Sequence, residues 1–385
     1  MSALPLDGLV VADFSRVLAG PLAAAMLADL GATVVKVERP GVGDDTRHWG
    51  PPWTATTSAY FEAANRSKRS VELDLDDPDD RALAVELATR ADVLVENFRT
   101  GALARKGLGY AELAALNPGL VHVSVTGFGS GGGKDMAGYD FLVQALGGLM
   151  SITGRPGEPT KVGVALVDVL TAKDAVIGVL AALRSRAATG RGQQVEVNLL
   201  SSLLGSLANQ ASAFLTTGVA PGALGNAHPS IAPYETLRTA DGHLAVCCGN
   251  DRQFRTLATA LGAADLADDE RFATNAARVA HRPALVAALE AALASDTVAG
   301  WTQRLGALGL PAGAVGDLAD AFGLAEQLGL EPTVDVATPD APDTPPQVRH
   351  PITYSATPVT RYTRPPALGE HNDDIRRWLT EEIPS

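Results

Sequence analysis

Along the first half of the chain, apolar positions follow two alternating patterns. Short β-branched runs at 9–14 (LVVADF), 33–38 (TVVKVE), 70–73, 93–95 and 121–125 read as strands. Their near-continuous hydrophobicity is what burial on both faces of a sheet requires. The stretches between them carry helix signals. Pro21 stands in the first turn of a helix over 21–30, and Asp77-Pro78 opens one that runs to about residue 90. Strand and helix in this alternation predict an α/β fold, a parallel sheet covered by helices. A flexible glycine-rich loop at 127–133 (GFGSGGG) and a helix over 138–150 follow.

Residues 161–183 (KVGVALVDVLTAKDAVIGVLAAL) change character midway. Val162, Val164, Leu166 and Val167 favour a strand, whereas from Val169 onward apolar residues recur at helical spacing. Asp168 falls at the junction. It is therefore expected at a helix N-terminus, where unpaired N–H groups and the dipole favour the anion. Two readings stand there: a cap that only holds the helix start, or a nucleophile facing a cleft. A strand at 194–197 and an apolar helix over 199–215 complete this part.

From 217 to 233 the composition shifts to Gly, Pro, Ala and Asn, as in a linker or active-site loop. A strand at 243–248 and helices at 251–261, 284–294, 296–309 and 317–328 then predict a smaller α+β domain. The run PDAPDTPP at 339–346 reads as a second linker before a last helix over 373–380. The expected organisation is a large domain over 1–216, a linker over 217–233, a small domain over 234–330, and a return to the large domain over 331–385.

Composition narrows the function classes. The 385 residues are 46% hydrophobic and 19% charged, the profile of a globular protein, with a net charge of −13 that argues against a nucleic-acid binder. Cys247 and Cys248 are adjacent in an apolar run, a poor arrangement for a disulfide or a metal, and fit buried thiols in a reducing compartment. The N-terminal stretch lacks the pattern of a secretory signal, and no apolar run has the length of a membrane span. A cytoplasmic protein without membrane partners is expected.

Three chemistries deserve weighing. The opening strand, turn, helix and strand, with Glu38 at the end, resemble a nucleotide-binding unit. The turn Ser15-Arg16-Val17-Leu18-Ala19-Gly20 has one glycine where a dinucleotide pyrophosphate needs three, which argues against an NAD-dependent oxidoreductase. The seven histidines form no HExxH or close pair, no GxSxG elbow occurs, and no metal site is expected. Of these histidines, only His228, in Asn226-Ala227-His228-Pro229, has the setting of a ligand-facing loop. Arg16, Lys36, Arg39, Arg47, Arg66, Lys68, Arg69, Arg99 and Arg105 cluster near the expected strand ends, which suggests a phosphorylated ligand beside the sheet.

The stretches DFSRVLAGPLAAAMLADLGATVVKVERPGVGDDTR, NRSKRSVELDL, ADVLVENFRTGAL, GLGY and TGRGQQVEV resemble the family III CoA-transferases, a family that also contains formyl-CoA transferase and α-methylacyl-CoA racemase. GDDTRHWGPPW, AGYD at 137–140 and NAHPSIAPY at 226–234 are most similar to members that move CoA from succinyl-CoA to another dicarboxylate. The resemblance implies a Rossmann-like large domain built from both chain ends, an inserted smaller domain, and an interlocked homodimer. It implies CoA as part of the substrate and no tightly bound cofactor. Asp168 would be the nucleophile, passing through an aspartyl anhydride and an aspartyl-CoA thioester. A carboxylate suits this chemistry because it needs no deprotonating base near neutral pH.

The positions matching the family's CoA contacts are Val17, Leu18, Arg39, Leu73, Asn97, Phe98 and Arg105. By the same match Arg39 and Arg105 would meet phosphates, and Val17, Leu73 and Phe98 would enclose the adenine or pantetheine. Tyr139 matches an active-site tyrosine that racemase members replace with histidine. A phenol with a pKa near ~10 is a poor proton shuttle at neutral pH, so an acyl-CoA racemase is the disfavoured alternative. A non-enzymatic acyl-CoA-binding module is disfavoured by the presence of Asp168. Leu18 replaces a glutamine of formyl-CoA transferase, which argues against formyl or oxalyl substrates. Lys173, one turn beyond Asp168, has no assigned role.

Overall fold

The computed structural model describes residues 4–381. Six strands, β1 (Val10–Asp13), β2 (Thr33–Glu38), β3 (Lys68–Glu72), β4 (Val93–Glu96), β5 (Val121–Thr126) and β6 (Gln194–Asn198), form one parallel sheet in the order β3-β2-β1-β4-β5-β6. Val11, Val34, Val35, Val71, Leu94, Val95, Val121 and Val123 are all buried within it, as the runs of β-branched residues require. The C-terminal segment closes the β3 edge. His371 N–H donates to the Ser70 carbonyl at 3.0 Å, and Glu72 N–H donates to Asn372 Oδ1 at 2.7 Å. Free strand-edge groups are thereby covered, and Ile375 and Leu379 of the last helix enter the same core.

The chain forms two compact units, one of residues 1–149, 162–219 and 331–385, the other of 150–161 and 220–330. In the second unit β7 (Tyr234–Arg238), β8 (His243–Cys247) and β9 (Ala312–Ala314) make an antiparallel sheet. Leu244, Val246, Phe254, Leu285, Leu289 and Trp301 form its core. The 150–161 segment is tied to this unit by Gly225 N–H, which donates to the Gly154 carbonyl at 2.8 Å. Cys247 and Cys248 carry free thiols.

Three expectations from the apolar pattern are corrected. The run 162–167 is no strand, because it meets no ladder; Val162 N–H instead donates to the Gln144 side chain at 2.9 Å, and the helix already begins at Leu166 and runs to Thr189. The helix expected over 138–150 is two, Asp140–Leu146 and Leu149–Ile152, interrupted by Gly147 and by Gly148 at φ +84°. The helix expected over 199–215 is also two, Leu199–Ser206 and Ala208–Thr217, separated by Leu207, with Ala208 at φ +44° opening the second. Among the described residues no single helix is long and apolar enough to cross a membrane.

Candidate active site

Strand order reverses direction between β1 and β4, so the loops leaving these strands diverge and open a crevice at their carboxyl ends. A cavity of about 300 Å³ lies there, walled by residues 16–19 after β1, 97–100 after β4, 125–129 after β5, and Asp168. Both strand loops are fixed by side chains. Asp13 Oδ1 accepts from the Ser15 N–H at 3.0 Å and also from its hydroxyl. Asn97 clamps the Arg16 backbone, accepting from its N–H at 2.8 Å and donating to its carbonyl at 2.6 Å. This leaves Val17 at φ +72°, a left-handed conformation that a β-branched residue enters only under strain. Gly20 is required one turn later: a Cβ there would lie 2.3 Å from Ser15 Cβ.

Asp168 is 9% exposed and stands in the first turn of the Leu166–Thr189 helix. It is not the cap expected from its place in the run. The capping carboxylate comes from Asp140, whose Oδ1 accepts from Val167 N–H at 2.8 Å and Asp168 N–H at 3.3 Å. Asp140 thus takes the amides that would otherwise stabilise the Asp168 anion, and it adds a second negative charge nearby. Burial, with the Asp140 charge second, pushes the Asp168 carboxyl up to about 7. Asp140 is itself held by Gln144, which donates to Oδ2 at 2.7 Å.

Val17, Leu18, Asn97, Phe98, Tyr139 and Asp168 share this cavity. Arg39 and Leu73 line a second one of about 150 Å³, to which Arg16 and Phe98 also contribute. Between the two, the Arg16 guanidinium lies over the Phe98 ring, 5.2 Å from its centre. Arg105 lines neither cavity; its neighbour Lys106 lines the second and pairs with Asp76. Tyr139 is 60% exposed and immediately precedes the Asp140–Leu146 helix. Lys173 is exposed and lies outside the cavity wall. His228, in the second unit, has its Nδ1 occupied by the Ser230 N–H at 3.1 Å and its ring 5.2 Å from that of Tyr234.

The basic residues near the sheet fall into two groups. Lys36, Arg47, Arg66 and Lys68 are buried and paired with Asp44, Glu38, Asp29 and Asp13 at 2.9, 2.7, 2.6 and 2.8 Å, so they brace the fold and are not free for an anion. Burial opposes ionisation of Asp44, yet Lys36 holds that carboxyl down at about 2. Glu38, the residue a nucleotide ribose would need, is consumed likewise. It accepts from Arg47 Nε and Nη2, from Ser70 Oγ and from Asp44 N–H. With Val17 where a pyrophosphate needs glycine, a dinucleotide site is not formed.

Two residues near Asp168 carried little sequence signal. Asp140 ends the AGYD motif, where an acid before a helix reads as its own cap and gives no hint of a bond to a helix 26 positions away. Tyr60 lies on the helix Ala59–Asn65, packed edge-on against Trp49 at 5.4 Å. Burial, then the charges of Asp168, Asp140 and Asp44, push its hydroxyl up to about 12, so it stays protonated beside the carboxylates.

A parallel α/β sheet with a buried carboxylate of raised pKa in the crevice at its topological switch point has the features of a ligand-binding site of open α/β proteins. The chain belongs to CoA-transferase family III, whose sequence signature it matches over residues 6–372. It is 44% identical over 385 residues to a succinate–glutarate CoA-transferase of Agrobacterium fabrum, covering 96% of this chain and 94% of that one. It is 40% identical over 383 residues to the succinyl-CoA:glutarate CoA-transferase of Mus musculus, covering 97% and 86%. A crystal structure of a CaiB/BaiF family protein from Brucella suis superposes with a TM-score of 0.87 at 44% identity, over 98% of this chain and all of that one.

Proposed function

We propose that this chain transfers CoA from succinyl-CoA to a dicarboxylic acid, with Asp168 as the nucleophile. The carrying observation is the Asp168 carboxylate in the switch-point cavity of a chain so similar to named succinyl-CoA:dicarboxylate transferases. Asp168 Oδ attacks the thioester carbonyl, forming an aspartyl–succinyl anhydride and releasing CoA thiolate. The thiolate attacks the aspartyl carbonyl, giving aspartyl-CoA thioester and succinate. The acceptor carboxylate attacks that thioester, giving a new anhydride and thiolate, and thiolate attack on the acceptor side returns Asp168 and the new acyl-CoA. Each step exchanges one acyl bond for another, and burial keeps water from spending the activation.

CoA is a substrate in this reading and no tightly bound cofactor takes part. Val17, Leu18, Asn97 and Phe98 are assigned to the pantetheine side, and Arg39 and Leu73 to the nucleotide in the second cavity. Arg105 is assigned to a phosphate on resemblance alone. Tyr139 is assigned to the acyl group. A second copy is expected, and the exposed apolar side chains Phe141, Leu146, Ile177, Leu204 and Leu215 on helices of the first unit are candidates for what it covers. The unbridged thiols Cys247 and Cys248 support a cytoplasmic setting.

The test is incubation with succinyl-CoA, a panel of acids and hydroxylamine, followed by intact-mass and peptide analysis. New acyl-CoA together with an adduct or hydroxamate at Asp168 is expected. Full transfer by Asp168→Ala refutes the assignment. Light scattering of the purified chain is expected to give the mass of a dimer.

A further inference from the structure

Three cationic side chains line the Asp168 cavity, and they differ in what already answers their charge. Arg16 faces Asp45 at 3.9 Å and stacks on Phe98. Arg99 stands on the loop after β4, following Asn97 and Phe98, and also borders a small neighbouring cavity containing Glu96 and Glu196. Lys134 comes from the loop after β5, on the segment that leads to Tyr139 and Asp140. Its backbone N–H donates to Gly131 at 3.2 Å, while its ammonium meets no carboxylate among the described residues.

The loop that presents Lys134 is a built structure. Its two ends are pinched together, since a Cβ on Gly127 or Gly138 would lie within 2.5 Å of the other's Cα. Gly133 packs so closely on Phe128 that a Cβ would sit 2.3 Å from its carbonyl oxygen. Gly127 accepts from Leu200 N–H at 3.1 Å, Ser130 donates to Glu196 at 2.7 Å, and Gly133 accepts from Met136 N–H at 3.0 Å. A lysine on so tied a loop has its backbone fixed at the cavity wall.

A dicarboxylic substrate brings two carboxyl groups to this cavity. One reacts at Asp168; the other remains an anion close to Asp168 and Asp140, where it needs a cation not already neutralised. We propose that Lys134 binds the free carboxylate of the substrate, in the acid acceptor and in the succinyl group of the donor alike, and so selects dicarboxylic over monocarboxylic acyl groups. This rests on the transferase reading above. The cation on the Phe98 side, Arg99, lies along the path assigned to CoA, which leaves Lys134 for the acyl end.

The test compares Lys134→Met and Lys134→Arg with the unmodified chain. Glutarate and butyrate are compared as acceptors or competitive inhibitors, succinyl-CoA and butyryl-CoA as donors, and free CoA as product inhibitor. In Lys134→Met, kcat/KM or the inhibition constant for glutarate and succinyl-CoA is expected to worsen roughly ten- to hundredfold, the loss of one charge-assisted bond. Butyrate, butyryl-CoA and CoA are expected to change less than about twofold, and Lys134→Arg to keep most of the preference. Equal losses for dicarboxylic and monocarboxylic compounds, weaker inhibition by CoA, or no change at all overturn the assignment of Lys134. Failure of the unmodified chain to transfer CoA to any acid overturns the transferase reading instead.

Discussion

Replacing Asp140 by asparagine isolates the electrostatics of Asp168. The Asp168 carboxyl is raised from 3.8 to about 7, with burial the larger cause and Asp140 the second. A shift of about three units is on the order of 4 kcal/mol between the two protonation states. As the smaller contribution, the Asp140 charge supplies less than half of it, at most about 1.5 units or about 2 kcal/mol. Asparagine keeps the oxygen that accepts from Val167 and Asp168 N–H, so the helix start survives while the charge and the bond that Gln144 donates to Oδ2 go. The assay is the pH dependence of kcat/KM for succinyl-CoA. An acid limb near pH 7 is expected in the unmodified chain, moving toward acid by roughly 0.5 to 1.5 units in Asp140→Asn. Asp140→Ala is expected to move the limb and also to lose about 0.5–2 kcal/mol of stability, because the cap is gone. A limb near pH 4 in the unmodified protein, or one that Asp140→Asn leaves in place, refutes the reasoning.

The same shift fixes a sign for stability. Between 3.8 and about 7 the folded chain keeps a proton on Asp168 that the unfolded chain releases, so stability falls as pH rises through that window. Asp168→Asn is therefore expected to be neutral in urea melts below about pH 4 and to gain roughly 1–4 kcal/mol near pH 8. Gly20→Ala forces a Cβ to 2.3 Å from Ser15 Cβ, and a loss of about 1–3 kcal/mol with a collapse of activity is expected from thermal melts and turnover. Asn97→Ala breaks both hydrogen bonds to Arg16, with about 1–3 kcal/mol lost and a higher KM for acyl-CoA. Lys173→Ala, at an exposed position outside the cavity, is expected to leave kcat/KM unchanged and stability within about 0.5 kcal/mol.

Much of the sheet was legible because its first five strands are largely buried. A run such as TVVKVE has no amphipathic helical alternative, and the strand found there, Thr33–Glu38, has the expected bounds. Legibility ended where long-range partners decide the outcome. VGVALV looks like a strand locally, yet a strand exists only where a neighbour offers a ladder, and here the neighbour is the Gln144 side chain. The hairpin strand Tyr234–Arg238 gave no period-2 signal, since YETLR places Leu237 alone in the core. The basic residues of the first seventy positions suggested an anion site because sequence does not reveal that Asp13, Asp29, Glu38 and Asp44 meet them. Such buried pairs are costly to break singly, at about 3–5 kcal/mol. Lys68 with Asp13, and Lys36, which also donates to the Ser15 carbonyl at 3.0 Å, brace the loop after β1.

The correction at Asp168 bears on the chemistry. As a cap, this carboxylate would accept hydrogen bonds from the helix amides, and its pKa would fall below 3.8. Such an anion is a weak nucleophile toward a thioester. With the amides given to Asp140, the Asp168 anion lacks that stabilisation and is more basic. Titrating at about 7, it remains roughly half ionised at neutral pH. Raised basicity increases attack on the succinyl thioester and makes the aspartyl group a poorer leaving group from its own anhydride. In the second step of the proposed cycle this is an advantage, because the returning thiolate strikes the aspartyl carbonyl and expels succinate; in the last step, where Asp168 itself leaves, it works against the reaction. A carboxylate pair in which one member takes the structural bonds and the other keeps the reactivity thus suits the two proposed steps that load CoA onto Asp168.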